Sequence, residues 1–136
     1  MASNLLKGKK GIIFGALNDM SIAWKVAERA HEEGAEFVLT NAPIAMRMGE
    51  INKLAKTCGD APVIPADATN MDDLSELFDK SLEHFGGQVD FVLHSIGMSP
   101  NVRKNKHYTG TNYDFYHKTM DISAMSLHRV LQTAYE

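Results

Sequence analysis

The feature that most constrains the fold of this chain is a regular alternation of short apolar runs with longer segments of helical periodicity. The apolar runs predict β-strands at residues 11–14, 37–40, 63–64 and 89–94, and the periodic segments predict helices at 21–33, 46–57, 71–85 and from 113 to the end. Strands that alternate with helices form a parallel sheet with right-handed crossovers and helices on both faces. The sequence therefore predicts the α/β class, as a Rossmann-like, doubly wound, three-layer fold that stops after the helix following the fourth strand.

Length and composition predict one domain over residues 1–136, since 136 residues with 44% hydrophobic content can bury a single core. The formal net charge of -3 gives no basic footprint for nucleic acid, and no apolar run reaches the length of a membrane span. The single cysteine, Cys58, excludes an internal disulfide framework, and residues 1–7 lack the long apolar core of a secretion signal. We therefore expect a cytoplasmic protein.

The predicted helices carry end signals. Gly34 is expected to close the first helix, and Asn70 is expected to cap the start of the third. The buried face of the first helix is predicted to consist of Ile22, Ala23, Val26, Ala27 and Ala30.

The turn after the first strand is the strongest indication of a ligand. The strand ends at Phe14, Gly15 permits a tight turn, and Ser21 stands where a helix N-cap belongs. Free N–H groups at such a helix start can face an anion, as they do in pyrophosphate sites. Only Gly15 fits the G-x-G-x-x-G pattern, so a tight turn with an ordinary serine cap is the alternative interpretation.

The residues after the second and third strands are also candidates, because ligands of open sheets bind at the carboxyl ends of strands. The run Thr40-Asn41-Ala42-Pro43 lacks the acidic residue that would hold the ribose hydroxyls. Arg47 is either a partner for a 2′-phosphate or a solvated side chain. Asp67 is either an acceptor for an adenine amino group or a simple turn aspartate.

The fourth strand ends at His94 and is followed by the small-residue turn Ser95-Ile96-Gly97, which permits close approach to a flat ring. His94 is either a hydrogen-bonded histidine at a strand end or a general base. No second histidine stands beside it at metal-ligand spacing, so no metal site is predicted.

Together, Gly15, the run Ser21-Ile22-Ala23, Asp67 and the run His94-Ser95-Ile96-Gly97 resemble the NADH-dependent enoyl-acyl-carrier-protein reductases of bacterial fatty-acid synthesis. These enzymes are divergent short-chain dehydrogenases. The later run Asp121-Ile122-Ser123 is similar to the same family, so the resemblance covers essentially the whole chain. It implies hydride transfer from NADH to the β-carbon of a trans-2-enoyl thioester, with the resulting enolate stabilised and then protonated.

The resemblance also implies a set of contact residues. Its cofactor contacts carry over to Gly15, Ser21, Ile22, Ala42, Asp67, Ala68, Ser95, Ile96 and Gly97. Ala42 and Ala68 would contribute only backbone, and many family members have a glutamine where Ala42 stands, which weakens the preference for NADH over NADPH. Ser99 is expected near the substrate.

The catalytic pair of the family, Tyr-x6-Lys, has no counterpart in this sequence. The seventh residues after Tyr108, Tyr113 and Tyr116 are Phe115, Met120 and Ser123, and Tyr135 is followed only by Glu136. The ordinary short-chain dehydrogenase spacing, Tyr-x3-Lys, is absent too. We therefore predict no catalytic residue in the chain, expect the pair beyond Glu136, and expect these 136 residues alone to be an inactive N-terminal half.

The implied partners are an enoyl-acyl-carrier-protein substrate and further copies of the chain. Family members are usually homotetramers that pair through the last helix, although a helix covering the sheet would have similar apolar residues. The basic stretch 103–107 is either a contact for an acidic carrier protein or a solvated loop, and the polar segment 99–112 is interpreted as a lid. The alternatives to an enoyl reductase are another short-chain reductase, such as a ketoacyl reductase, and a non-catalytic nucleotide-binding or assembly domain.

Overall fold

A computed structural model describes residues 2–136 and contains a parallel sheet. Its strands are β1 (Lys10–Phe14), β2 (Glu36–Thr40) and β3 (Phe91–His94), in the order β2-β1-β3. Gly11 stands opposite Phe37 on one side and Phe91 on the other. A Cβ at Gly11 would overlap the ring of Phe91, so any other residue at this position would displace that ring.

Seven α-helices accompany these strands in residues 2–136. They are α1 (Ile22–Glu32), α2 (Pro43–Met48), α3 (Ile51–Thr57), α4 (Met71–Phe85), α5 (Pro100–Arg103), α6 (Tyr113–Met120) and α7 (Ser126–Tyr135). A 3-10 turn lies at Tyr108–Gly110, and a π-helical turn at Asp121–Met125 joins α6 to α7 without a break. The predicted α/β class is confirmed.

The segment 63–64 does not form the predicted strand, although it lies in parallel beside β2. Val63 forms only an isolated parallel bridge with Leu39 of β2. The N–H of Leu39 donates to Pro62 (2.9 Å), and the N–H of Ile64 donates to Leu39 (3.0 Å). Pro62 has no N–H group to donate to β2, so the ladder cannot extend toward the N-terminus. Beyond Ile64 one further bond forms, from the N–H of Ala66 to the carbonyl of Asn41 just after β2.

The predicted helix at 46–57 is also wrong, because the structure has two helices there. The chain is extended at Gly49 (φ -102°, ψ 177°), and the N–H of Glu50 donates to the carbonyl of Leu17 at 2.8 Å. A Cβ at Gly49 would lie 2.6 Å from that same carbonyl oxygen. Contact with the loop after β1 therefore divides the segment into α2 and α3.

The core lies on both faces of the sheet. Ile13, Phe37 and Leu39 pack with α1 and α3 on one face. On the other face, α4 and α7 pack against the sheet through side chains that include Leu74, Leu77 and Val130. Alternate residues of each strand point to opposite faces of the sheet. Burial of each aliphatic side chain in either core stabilises the folded state by about 1.5–3 kcal/mol.

The predicted face of α1 is only partly correct. Ala23, Ala27 and Ala30 are buried as expected, but Ile22 is 75% exposed and Val26 is 37% exposed. Trp24, at 6% exposure, takes their place in the core and packs in the cluster that contains the α3 side chains. The helix is therefore turned toward α3, and Val26 faces an open groove beside β3.

The helix ends agree with the sequence predictions more closely than the buried face of α1 does. The Asn70 side chain accepts hydrogen bonds from the N–H groups of Asp72 (2.9 Å) and Asp73 (3.2 Å), so the predicted cap of α4 is confirmed. Gly34 follows α1 with φ +89°, a conformation that suits glycine. In residues 2–136 no helix combines the length and apolar character needed to cross a bilayer.

Candidate functional site at the carboxyl ends of the strands

The turn after β1 lies directly against the turn after β3. Gly15 has φ +97°, and its N–H donates to the carbonyl of Thr40 at 3.1 Å. A Cβ on Gly15 would overlap the carbonyl oxygen of Ser95. Only glycine therefore fits between the turns, which brings two predicted contact residues, Gly15 and Ser95, together.

Asn41 ties the neighbouring loops to this point. Its side-chain amide donates to the carbonyl of Ala16 at 3.0 Å, and its side-chain oxygen accepts from the N–H of Ala42 at 2.9 Å. Its backbone carbonyl accepts from the N–H of Ala66 at 3.0 Å. Our sequence reasoning missed this positioning role. An asparagine directly after a strand, where side chains bond nearby backbone, was the available signal.

Asp67 makes the contacts of a turn aspartate. Its Oδ1 accepts from the N–H (2.8 Å) and the hydroxyl (2.7 Å) of Thr69, and its own N–H donates to Asp73 at 2.9 Å. Among residues 2–136, its Oδ2 has no hydrogen-bonding partner. One carboxylate oxygen thus builds the turn, and the other is free to accept a further donor.

A cleft runs between these loops. Its lining residues are Phe14, Gly15, Asn41, Ala42, Ala66, Asp67, Ala68, Thr69, Ile96 and Ile122. Five of the nine predicted cofactor contacts therefore share this cleft. The other four do not line it: Ser95 meets Gly15, Gly97 continues the turn after β3, and Ser21 and Ile22 lie at the start of α1.

Ser21 stands at the N-cap of α1 but does not cap it with its side chain. Its hydroxyl donates to the carbonyl of Asn18 (2.6 Å) and accepts from the N–H of Leu17 (3.2 Å). The serine therefore holds the glycine turn, and the first N–H groups of α1 receive no side-chain cap. Unfilled N–H groups at a helix start are suited to an anion.

His94 is hydrogen-bonded within the fold. Its Nε2 lies 2.7 Å from the hydroxyl of Ser126, which itself donates to the carbonyl of Ile122 at 2.6 Å. Because a hydroxyl has one proton, these two contacts require His94 to donate from Nε2. Burial lowers the pKa of His94, which favours the neutral ring. These contacts agree with the hydrogen-bonded alternative rather than the general base.

The segment predicted as a lid has local order. Ser99 caps α5 by accepting from the N–H of Val102 at 3.4 Å. Asn101 exchanges two hydrogen bonds with the backbone of Asn112, at 3.0 and 3.1 Å, which closes the segment into a loop. Lys104 lies over the ring of Phe115, 4.7 Å from its centroid. Movement of this segment as a lid stays a prediction.

This parallel sheet, flanked by helices and with its cleft at the carboxyl ends of the strands, defines a Rossmann-like α/β protein. Residues 15–136 match the family described as "Enoyl-(Acyl carrier protein) reductase", and the chain belongs to that family. The resemblance found in the sequence is confirmed.

Relatives of known name and structure agree with this assignment. An "Enoyl-[acyl-carrier-protein] reductase [NADH] 1" of Rhizobium meliloti is 35% identical over 98% of this chain and 48% of its own length. A FabI–NADH complex from Alistipes finegoldii is 63% identical, with a TM-score of 0.93 over 97% of this chain and 46% of that chain. A Bacillus cereus enoyl-acyl carrier protein reductase with NADP+ is 29% identical, with a TM-score of 0.84 over 98% of this chain and 51% of that chain. The chain thus spans about half the length of these relatives.

Proposed function

We propose that this chain forms the NADH-binding, N-terminal half of an enoyl-acyl-carrier-protein reductase, acting on trans-2-enoyl thioesters. The observation that carries the proposal is the convergence of the loops after β1, β2 and β3 around Gly15. Membership of the reductase family supports the reaction class, and the solved FabI–NADH complex of a relative supports the cofactor.

The residues around the cleft suit the parts of NADH. The uncapped start of α1, with Ser21 and Ile22 beside Gly15, suits the pyrophosphate. The free Oδ2 of Asp67 suits the adenine amino group, and the backbones of Ala42 and Ala68 suit the adenosine. When bound, NADH would supply the hydride for the β-carbon of the enoyl thioester.

Gly97 gives an independent indication that a ligand approaches the turn Ser95-Ile96-Gly97. Its φ is not positive, and a Cβ would meet no atom within 4 Å. Neither backbone conformation nor packing in residues 2–136 therefore requires a glycine at this position. A flat ring lying against the turn would require one, and we assign the nicotinamide-ribose end of NADH to this place, with Ser99 near the substrate.

The remainder of the reaction needs groups that this chain does not contain. No tyrosine is followed by lysine at the family spacing. We propose that the catalytic pair belongs to a further part of the same domain. The position of β3 supports this, because within residues 2–136 it pairs only with β1, beside a groove lined by Leu6, Val26, Phe91 and Leu93.

Three properties of the whole enzyme belong to the same proposal. The outward residues Leu127 and Leu131 on α7 are exposed apolar side chains suited to pairing copies in a homotetramer. The basic stretch from Arg103 is a candidate contact for the acidic carrier protein. Cys58 is a free, buried thiol whose pKa is raised by burial, which is compatible with the reducing cytoplasm.

Ligand titration tests the cofactor assignment. The chain has a single tryptophan, Trp24, so energy transfer from it to NADH reports binding without a label. We expect NADH to bind, and Asp67→Ala to weaken binding by about tenfold, the loss of a hydrogen bond to a charged group. The matched control, Asp79→Ala on the exposed side of α4, should bind normally.

Two results would count against this proposal. Absence of NADH binding by the unsubstituted chain would exclude the cofactor function. NADPH binding tighter than NADH binding, abolished by Arg47→Ala, would instead assign the exposed Arg47 to a 2′-phosphate and reverse the cofactor choice.

A further inference from the structure

The continuous helix formed by α6 and α7 departs from α-geometry where it passes the turn after β3. The irregular part is the π-helical turn at Asp121–Met125, and the side chain of Arg129 in α7 extends back to it. The Arg129 guanidinium donates to the Asp121 carboxylate (2.5 Å) and to the Asp121 carbonyl (3.5 Å). These contacts stabilise the π turn, and such turns are frequent at functional sites.

Ser123, inside the π turn, binds both backbone groups of one residue in the turn after β3. Its hydroxyl accepts from the N–H of Met98 at 3.0 Å and donates to the carbonyl of Met98 at 3.3 Å. Three residues later, Ser126 bonds the His94 ring at 2.7 Å. The two serines therefore hold opposite ends of the stretch His94–Met98.

Between these two anchors lie Ser95, Ile96 and Gly97, which belong to no helix or strand. Their inner side is fixed where the carbonyl of Ser95 meets Gly15 and the side chain of Ile96 packs against the core. Beyond that point, the Ser123 hydroxyl is the group that pairs with the backbone at the end of the turn. Its loss would let the Gly97 end of the turn move while the Gly15 contact stays.

We propose that Ser123 is a positioning residue that fixes the turn Ser95-Ile96-Gly97 against the nicotinamide-ribose end of the cofactor. This inference depends on the proposed NADH function. It assigns Ser123 no contact with NADH and no chemical step. Its effect reaches the cofactor through the backbone of Met98.

The test compares two ligands, of which only one is long enough to contact the turn after β3. NADH extends to the turn after β3, whereas AMP occupies only the adenosine end beside Asp67. We expect Ser123→Ala to weaken NADH binding about fivefold, the size of one neutral hydrogen bond, and to leave AMP binding unchanged. Ser123→Thr keeps a hydroxyl and should bind NADH like the unsubstituted chain.

The matched control is Thr119→Val in α6, which removes a hydroxyl that bonds only within the helix, to Phe115 at 2.9 Å. It should leave both affinities unchanged. Equal NADH binding by Ser123→Ala and the unsubstituted chain would overturn the inference, and so would parallel loss of NADH and AMP binding, which indicates general destabilisation. Failure of the unsubstituted chain to bind either ligand would overturn the proposed function, and this inference with it.

Discussion

Replacing Gly15 by alanine tests whether contact between the turns after β1 and β3 builds the site. Gly15 has φ +97°, and an added Cβ would overlap the Ser95 carbonyl oxygen and lie 2.7 Å from the Ser95 carbonyl carbon. Because these are backbone atoms in a turn held by His94 and Met98, they cannot swing aside like the tip of a flexible side chain. The two turns must separate to admit the methyl group.

The expected cost is the sum of three effects. A non-glycine residue in left-handed backbone loses about 1–2 kcal/mol, and overpacking a tight contact loses about 1–3 kcal/mol. Alanine regains about 0.4–1 kcal/mol by restricting the unfolded chain. The free energy of unfolding should therefore fall by about 3 kcal/mol.

Urea unfolding, followed by the fluorescence of Trp24, measures this change. With a slope of about 1–3 kcal/mol per molar urea, the unfolding midpoint of Gly15→Ala should fall by about 1–3 M. Gly97→Ala is the matched control, since no atom of residues 2–136 lies within 4 Å of its Cβ position and its φ is not positive. Its midpoint should stay near that of the unsubstituted chain while its NADH affinity falls. A normal midpoint for Gly15→Ala would refute the reasoning.

Three further predictions concern single side chains. The buried Thr40 hydroxyl has no hydrogen-bond partner in residues 2–136, so Thr40→Val should raise the free energy of unfolding by about 1 kcal/mol; a loss would mean that the hydroxyl is satisfied. Asn70→Ala removes the α4 cap and should lower that free energy by about 1 kcal/mol in urea; an unchanged midpoint would show that the cap contributes nothing. Burial lowers the folded-state pKa of His94, so its contribution is complete above the unfolded pKa of about 6.5 and is lost as pH falls below it. His94→Gln should reduce the fall in urea midpoint between about pH 8 and about pH 5, and an identical pH dependence would contradict this assignment.

Much of the cleft was predictable because its residues follow strands directly. Gly15, Ala42, Asp67, Ala68 and Ile96 meet as expected, since parallel strands end at one edge of a sheet. The backbone partners of the side chains that fix the loops were not predictable. Asn41 and Ser123 bond backbone groups in other loops, and no local pattern indicates which distant carbonyl or N–H such a side chain will meet.

The sequence by itself determined the alternation of strands and helices along the chain, the cap of α4 and the glycine turn after β1. Each of these depends on residues that are near one another along the chain, through side-chain periodicity, a capping oxygen or a permitted φ. Tertiary structure decided the division of α2 from α3 at Leu17, the shortening of the 63–64 strand beside β2, and the burial of Trp24 in place of Ile22. These features arise where distant segments compete for the same space and the same backbone hydrogen bonds, and that competition is settled only when the chain is packed.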